Sequence, residues 1–513
     1  MTTAPVARPD HVRSRWVAPL VVAALLGLGY ALVAPHTADL AAQTARADVF
    51  DRSGYVAFWT GWYGGTPTAG YSLITPPLLA LFGPVWLGAL SIFAAGAVAV
   101  PLLSSSQRPR LGAIAVAVSG TFDVLSGRIT FASGVVVGLA AILAIERRRP
   151  WLAFLVAVLT TATSPVAGVL LTVVAAAAVL AGPTRRRGGA AALFGVATAL
   201  IAIAILTSGS RGGYEPFTFT SLAISAGTTV LVMVSPVGRR LRVVGWLTLW
   251  LLAGCYLIHS PVGANATRVA VLGAAPALIA VARWPRPVLA LAVAIATILP
   301  AAQLVNDMEV AGGPQATRAF VEPLLKELQA RPAVVQHRVE VLATKTFWPT
   351  TYLLPTVSLA RGWERQADEA RNPEFYGRRP LTASAYRSFL DRYAVSYVAE
   401  PIGVRLDYAS TREARLLETG LPYLQLVWTN ANWRLYTVTQ PTALVSQPAT
   451  VVSQEDTGLT VDVPAAGRYL VRLVWSPYFV ATDAKITRSG DNQVVLTTGS
   501  AGTYRGHAVW QWP

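Results

Sequence analysis

Cysteine is almost absent from this chain of 513 residues. The one cysteine, Cys255, lies inside an apolar stretch, so the chain cannot form an intramolecular disulfide. The hydrophilic residues 305–513 contain no cysteine. They must therefore be stabilised by core packing, which a segment of that length can supply.

Charged residues are also scarce. They make up 13% of the chain, whereas hydrophobic residues make up 53% and the mean hydropathy is +0.48. The apolar excess is confined to the first three-fifths of the sequence, which excludes an ordinary soluble protein and indicates a multi-pass membrane protein. The apolar runs predict eleven helices, at residues 16–34, 76–103, 110–125, 131–145, 151–164, 166–182, 189–206, 221–235, 243–258, 265–282 and 287–304.

Acidic residues are fewer than basic ones, 26 against 42, which gives a formal net charge of +16. In a soluble protein this excess would suggest nucleic acid as a partner, but the position of the charge excludes that here. Alternate hydrophilic stretches between the predicted spans hold sixteen arginines: Arg8, Arg13, Arg15, Arg108, Arg110, Arg147, Arg148, Arg149, Arg185, Arg186, Arg187, Arg239, Arg240, Arg242, Arg283 and Arg286. The intervening stretches hold five: Arg46, Arg52, Arg128, Arg211 and Arg268.

This asymmetry predicts the orientation of the chain in the cell membrane. By the positive-inside rule, the first set of arginines and the N-terminus are cytoplasmic. With eleven spans, the C-terminal region lies on the extracytoplasmic face. We expect a transmembrane domain at residues 1–304, with a first outer loop at 35–75. An exported α/β region at 305–432 and a β-sandwich-like region at 433–513 follow, the latter because short alternating strands such as WRLYTV, GLTVDV, RYLVRLVW, NQVVLTT and HAVWQW are separated by turn residues.

The first outer loop is long and aromatic, which is typical of a functional loop and not of a disordered one. Residues 39–53 predict a short helix on the membrane surface. At 100° per residue, Asp39, Gln43, Arg46 and Phe50 fall within a stripe of about 60°. A second set of residues, Trp59, Trp62 and Tyr63, offers either stacking platforms for a sugar or an interfacial aromatic belt.

The phrases WYGGTPTAGYS, SGRITFASG, TSPVAG, SPVGANATR and LARGWERQADEARNPEFYG resemble actinobacterial GT-C glycosyltransferases near the arabinofuranosyltransferases. The resemblance implies a GT-C-like fold, a sugar donor carried on a polyprenyl phosphate and a cell-envelope glycan as acceptor. In GT-C enzymes an acidic residue of the first outer loop activates the acceptor hydroxyl, and the matching position here is Asp39. The sequence has no paired acidic metal motif, so we assign no metal ligand, and participation of a divalent cation stays open.

Two outer arginines are candidates to bind the donor phosphate. Arg128 and Arg268 lie at the outer ends of predicted spans, where a charged side chain is costly unless it has a partner. The alternatives are that Arg128 pairs with Asp123 across a tight turn and that Arg268 extends to the interface. For Asp39, the alternative to catalysis is that it complements the helix dipole in the first turn.

Two other classes of protein compete with the glycosyltransferase. A transporter or flippase of an envelope precursor would need ionisable residues in the middle of its spans, and these spans contain almost none. A non-catalytic scaffold that retains the GT-C-like fold is the other, because no second acidic residue stands near Asp39 in a recognisable motif.

Overall fold

The computed structural model describes residues 10–208, 213–354 and 356–510, so that Arg8 and Arg211 of the arginine tally lie outside it. The chain divides into two compact units. The first comprises Met1–Pro35, Ser72–Ala202 and Glu215–Met308, and the second comprises His36–Tyr71, Ile203–Tyr214 and Glu309–Pro513. The first outer loop, which we predicted as part of the transmembrane domain, therefore groups with the C-terminal unit.

The N-terminal part of the described chain contains twelve α-helices. They are α1 (Asp10–Val33), α2 (Ala38–Ser53), α3 (Thr75–Leu102), α4 (Pro109–Leu125), α5 (Ile129–Glu146), α6 (Pro150–Thr163), α7 (Pro165–Leu180), α8 (Pro183–Leu206), α9 (Phe219–Val234), α10 (Arg239–Leu257), α11 (Arg268–Val281) and α12 (Arg286–Ala311). Four of them begin at a proline, whose fixed φ suits the first turn and whose missing N–H group is not needed there. All except α2 coincide with the eleven predicted helices, which are thereby confirmed.

Seven helices in the described ranges are long and apolar enough to cross a membrane, by length and composition. They are α1, α3, α5, α8, α10, α12 and the stretch Gly263–Val281 that contains α11. Helices α6, α7 and α9 are apolar but shorter. The chain is accordingly a multi-pass membrane protein, whereas the number of crossings and their orientation stay predictions.

Within the first unit, buried hydroxyl groups join neighbouring helices. The Thr75 and Thr130 hydroxyls are 3.1 Å apart, and those of Ser91 and Ser133 are 3.0 Å apart. Both pairs link α3 to α5. Such hydrogen bonds satisfy polar groups that have no access to water, and small side chains let helices approach closely.

In the second unit, an α/β layer forms around a four-stranded sheet. The strands of the unit are β1 (Phe58–Trp59), β2 (Thr66–Pro67), β3 (Arg338–Val341), β4 (Val395–Pro401), β5 (Leu424–Thr429), β6 (Trp433–Val438), β7 (Thr450–Glu455), β8 (Gly458–Val463), β9 (Gly467–Val474), β10 (Phe479–Ala481), β11 (Ala484–Arg488), β12 (Gln493–Thr498) and β13 (Gly502–Ala508). The sheet has the order β3-β4-β6-β5, with β3 and β4 parallel and the other pairs antiparallel.

Six helices accompany this sheet: α13 (Arg318–Gln329), α14 (Ala333–Gln336), α15 (Trp348–Leu353), α16 (Arg365–Arg371), α17 (Ala383–Arg392) and α18 (Tyr408–Leu417). Helices α13, α17 and α18 are amphipathic, and buried residues such as Phe320, Leu324 and Phe389 enter a core shared with Trp433 of β6.

The last part of the second unit is a β-sandwich of two antiparallel sheets, with the orders β10-β13-β8-β7 and β11-β12-β9. Alternate residues of the strands, including Val461, Val471, Leu496 and Tyr504, form its core. The predicted class, a multi-span helical protein with a C-terminal α/β region and a β-sandwich, is confirmed. The segment WRLYTV, however, is β6 of the α/β sheet and not the first strand of the sandwich, because it pairs with β4.

Candidate functional site

Asp39 lies in the first turn of α2 and is partly buried. The helix is fixed in the second unit by buried residues on more than one side, and two of them, Ala45 and Val49, belong to the hydrophobic core. In addition, the Thr351 hydroxyl donates a hydrogen bond of 3.1 Å to the Ala41 carbonyl. The predicted first-turn position is confirmed, and it is compatible both with a dipole-complementing role and with catalysis.

The predicted stripe on α2 also exists. Gln43 and Arg46 follow Asp39 by one and two turns, and both contact Tyr71 at the end of the first outer loop. The Gln43 amide donates to the Tyr71 hydroxyl, and the Arg46 guanidinium lies 3.6 Å from the centroid of the Tyr71 ring. Arg46 also stands 4.0 Å from the Glu364 carboxylate. A cation over an aromatic face is attracted by the ring quadrupole, so this contact fixes Arg46 on the helix face that carries Asp39.

The other acidic residues of α2 have different surroundings. Burial raises the pKa of Asp48, against the opposing effect of Arg52, while Asp51 is exposed. Arg52 directs its hydrogen bonds to Asp456 of the sandwich, with two N–O distances of 3.1 Å. Arg52 therefore links the first outer loop to a turn of the sandwich.

Trp59, Trp62 and Tyr63 are buried and belong to the core of the second unit. The Trp59 and Trp62 rings pack at a centroid distance of 4.6 Å, and the Tyr63 hydroxyl donates a hydrogen bond of 2.6 Å to the Gly362 carbonyl. No ring face of the three is open to solvent, so the structure favours neither the sugar platform nor the interfacial belt. We assign these residues to the attachment of the outer loop.

The Arg128 side chain lies between two carboxylates of the first unit. Its guanidinium is 3.7 Å from Asp123 and 3.6 Å from Asp307. The predicted pairing with Asp123 across the turn before α5 is thus present. Because two negative charges face one positive charge, this position attracts a phosphate less than an isolated arginine would.

Arg268, the first residue of α11, reaches the same end of α5. Its guanidinium lies 4.2 Å from the centroid of the Phe131 ring, in the first turn of that helix. Arg128 immediately precedes α5, so the first unit brings the two predicted phosphate-binding arginines to one helix terminus. The stacking on Phe131 orients the Arg268 guanidinium. Asp39 belongs to the other unit.

A buried charge cluster in the second unit was not anticipated from the sequence. Arg361 donates to Glu340 at 2.8 and 2.6 Å and also to Glu413, and its guanidinium is 3.7 Å from Asp368. All four side chains are buried. Burial raises the pKa values of the three carboxyl groups, and the Arg361 charge opposes that rise. Arg361 and Asp368 also line a small cavity of about 10 Å³.

The segment that carries Arg361 and Asp368 is the phrase LARGWERQADEARNPEFYG. The central part of this phrase is not a surface salt-bridge face, because Asp368 is buried. The segment instead binds the first outer loop. Arg371 donates to the carbonyls of Tyr63 and Gly65, at 3.3 and 2.7 Å. Local sequence gave no signal for these contacts, because their partners lie about three hundred residues away.

The described elements define a multi-pass helical membrane protein with a second unit of α/β and β-sandwich structure. No family model matches the chain. No curated protein matches it. A solved structure of the arabinofuranosyltransferase AftD from Mycobacteria is similar to it, with 16% identity and a TM-score of 0.46, over 90% of this chain and 41% of that one. The chain spans less than half the length of AftD, and the likeness carries nothing about its reaction.

Among the described residues, no group of three or more His, Cys, Asp and Glu side chains is arranged to hold a metal ion. Participation of a divalent cation stays an open question.

Proposed function

We propose that this protein transfers a sugar from a polyprenyl-phosphate donor to a cell-envelope glycan or glycolipid on the extracytoplasmic face of the membrane. The observation that carries the proposal is the face of α2 on which Asp39, Gln43 and Arg46 stand in line. Only residues 34–37 separate α2 from the apolar helix α1, so chain connectivity limits how far Asp39 can lie from the end of that helix. A membrane-borne donor presents its sugar at the membrane surface.

In the proposed reaction, the acceptor hydroxyl oxygen attacks the anomeric carbon of the donor sugar. A new glycosidic C–O bond forms, the bond from that carbon to the phosphate oxygen breaks, and polyprenyl phosphate leaves. The hydroxyl proton passes to the Asp39 carboxylate, which acts as the general base. Gln43 and Arg46 do not react; their contacts with Tyr71 hold the helix face that presents Asp39.

For the donor phosphate we favour Arg268 over Arg128. Arg128 stands between two carboxylates, whose negative charges oppose the binding of a phosphate there. Arg268 stacks on the Phe131 ring, which orients its guanidinium at the same end of α5. In this proposal Arg128 positions the end of α5 and Arg268 contacts the donor.

The test uses the full-length protein in lipid nanodiscs, with synthetic short-chain polyprenyl-phosphate sugars as donors. Arabinofuranose heads the donor panel because of the sequence resemblance, and an arabinofuranosyl oligosaccharide serves as acceptor. We expect an acceptor extended by one sugar, together with free polyprenyl phosphate, detected by mass spectrometry. Movement of intact donor across proteoliposome membranes without a new glycosidic bond would favour a flippase. Folded protein that neither binds nor consumes any donor would contradict the proposal and favour the scaffold.

A further inference from the structure

The ends of three helices meet at a single carboxylate in the first unit. Glu146 is the last residue of α5, and its carboxylate lies 2.7 Å from the Nε atom of Arg185 in α8. The same carboxylate accepts a hydrogen bond from Arg240 in α10. Gly188 lets α8 run directly against α5, because a Cβ there would lie 3.2 Å from the Ile145 Cα atom. This end of the unit is therefore a packed surface and not three separate loops.

Positive charge is concentrated on that surface. Three segments form this surface: residues 146–149, 185–187 and 239–242. They contain nine arginines: Arg147, Arg148, Arg149, Arg185, Arg186, Arg187, Arg239, Arg240 and Arg242. Glu146 is the one acidic residue within these segments. All of the nine arginines except Arg185 and Arg240 are exposed. The positive-inside rule explains a general excess of arginine in loops. Here three arginine-rich segments meet at one carboxylate, and their excess positive charge produces a strong local field that attracts anions.

Aromatic rings follow the arginines on helices α6 and α8. Trp151 of α6 stacks on Phe154, and Phe154 stacks on Phe194 of α8, with centroid distances of 5.9 and 5.7 Å. Trp151 is 71% exposed and Phe194 is 67% exposed. Trp151 follows Arg149 by two residues, and Phe194 follows Arg187 by two helical turns, or about 10 Å. Apolar rings at this spacing from a charged surface fit acyl chains below a headgroup.

We propose that this surface binds an anionic diacyl phospholipid. The phosphodiester would contact the exposed arginines of the three segments, and Glu146 holds Arg185 and Arg240 in place at their centre. The acyl chains would lie along the Trp151, Phe154 and Phe194 rings. The site belongs to the first unit alone and does not depend on the sugar-transfer proposal.

The experiment compares two triple variants of the full-length protein in detergent. The test variant, R186Q/R187Q/R239Q, removes three exposed arginines without removing either partner of Glu146. The control variant, R110Q/R283Q/R286Q, removes three exposed arginines from other stretches. Lipid binding is measured by native mass spectrometry with phosphatidylglycerol, phosphatidylcholine and inorganic phosphate as probes.

We expect wild type and control to retain phosphatidylglycerol in preference to phosphatidylcholine, and the test variant to bind phosphatidylglycerol at least about tenfold more weakly, since each surface arginine adds to the attraction. Phosphatidylglycerol with brominated acyl chains should quench wild-type fluorescence more than that of the variant W151F. Equal loss in both triple variants, equal binding of the two lipids, or displacement of the lipid by inorganic phosphate would overturn the proposal.

Discussion

Replacement of Arg361 by methionine should destabilise the second unit strongly. The substitution keeps an unbranched side chain but removes the cation that donates hydrogen bonds to Glu340 and Glu413 and lies 3.7 Å from Asp368. Three buried carboxyl groups would then share no positive charge. Removing one partner of a buried ion pair costs about 3 to 5 kcal/mol, and we expect a loss in that range.

Part of the cost is offset by neutral donors that remain. The Tyr386 hydroxyl donates to Glu413 at 2.7 Å, and the Tyr376 hydroxyl donates to Asp368 at the same distance. For a unit of this size, a loss of a few kcal/mol lowers the melting temperature by on the order of 10 °C. The assay is thermal unfolding of the full-length protein in detergent. Arg365→Met is the matched control, since Arg365 lies in the same segment and is exposed.

The effect of R361M should depend on pH. Burial raises the folded-state pKa values of Glu340, Glu413 and Asp368. A carboxyl group with a raised folded pKa stabilises the fold at low pH, and that stability is lost as the pH rises through the folded pKa. Without Arg361 the pKa values rise further, so the difference from wild type should widen as the pH rises above the ordinary pKa range of carboxyl groups. A loss no greater than that of R365M, or one independent of pH, would refute this account of the cluster.

Other variants test the remaining parts of the structure. Gly362→Ala would place a Cβ 2.1 Å from the Trp62 ring and should lower the melting temperature, because overpacking of a core costs about 1 to 3 kcal/mol; an unchanged melting temperature would contradict the packing. Arg268→Ala should weaken donor binding by about 2 kcal/mol, whereas Arg128→Ala should chiefly lower stability; the reverse pattern, measured by donor titration and thermal unfolding, would exchange their roles. Reporter fusions after Arg187 and at the C-terminus should signal cytoplasm and exterior respectively, and an inside signal from the second would contradict the predicted orientation.

The helices of the first unit were predictable because their signals are local. Continuous apolar runs, broken by arginine clusters or by prolines such as Pro150, Pro165 and Pro183, mark both the helices and their boundaries. Strands of the sandwich were predictable for the same reason, since the alternation along Gly467–Val474 shows one buried face.

Pairing and burial were not predictable in the same way. Alternation identifies Trp433–Val438 as a strand, but it does not tell that the strand pairs with Val395–Pro401. Likewise, aromatic residues in a loop indicate a surface or a core equally well until their partners are known. Trp62 and Tyr63 are buried by a segment that begins near residue 359, and nothing near them in sequence reveals it.

One part of the candidate site was predictable from local sequence, and another part was not. The face of α2 with Asp39, Gln43 and Arg46 follows from helical periodicity alone. Tyr71 and Glu364, which hold Arg46 on that face, come from the end of the loop and from the distant α/β region. The Arg361 cluster joins β3, α18 and the segment before α16, so its members could not be grouped before the fold was known.

The central claim is that Asp39 takes the proton of the acceptor hydroxyl, and the variant D39N tests it most directly. Asparagine keeps the shape of the side chain and removes its basicity. Asp51→Asn makes the same change on the exposed face of the same helix and serves as the control. We expect D39N to bind donor as wild type does but to transfer sugar about 100- to 10,000-fold more slowly, whereas D51N transfers at the wild-type rate. A wild-type rate of transfer in D39N would contradict the account.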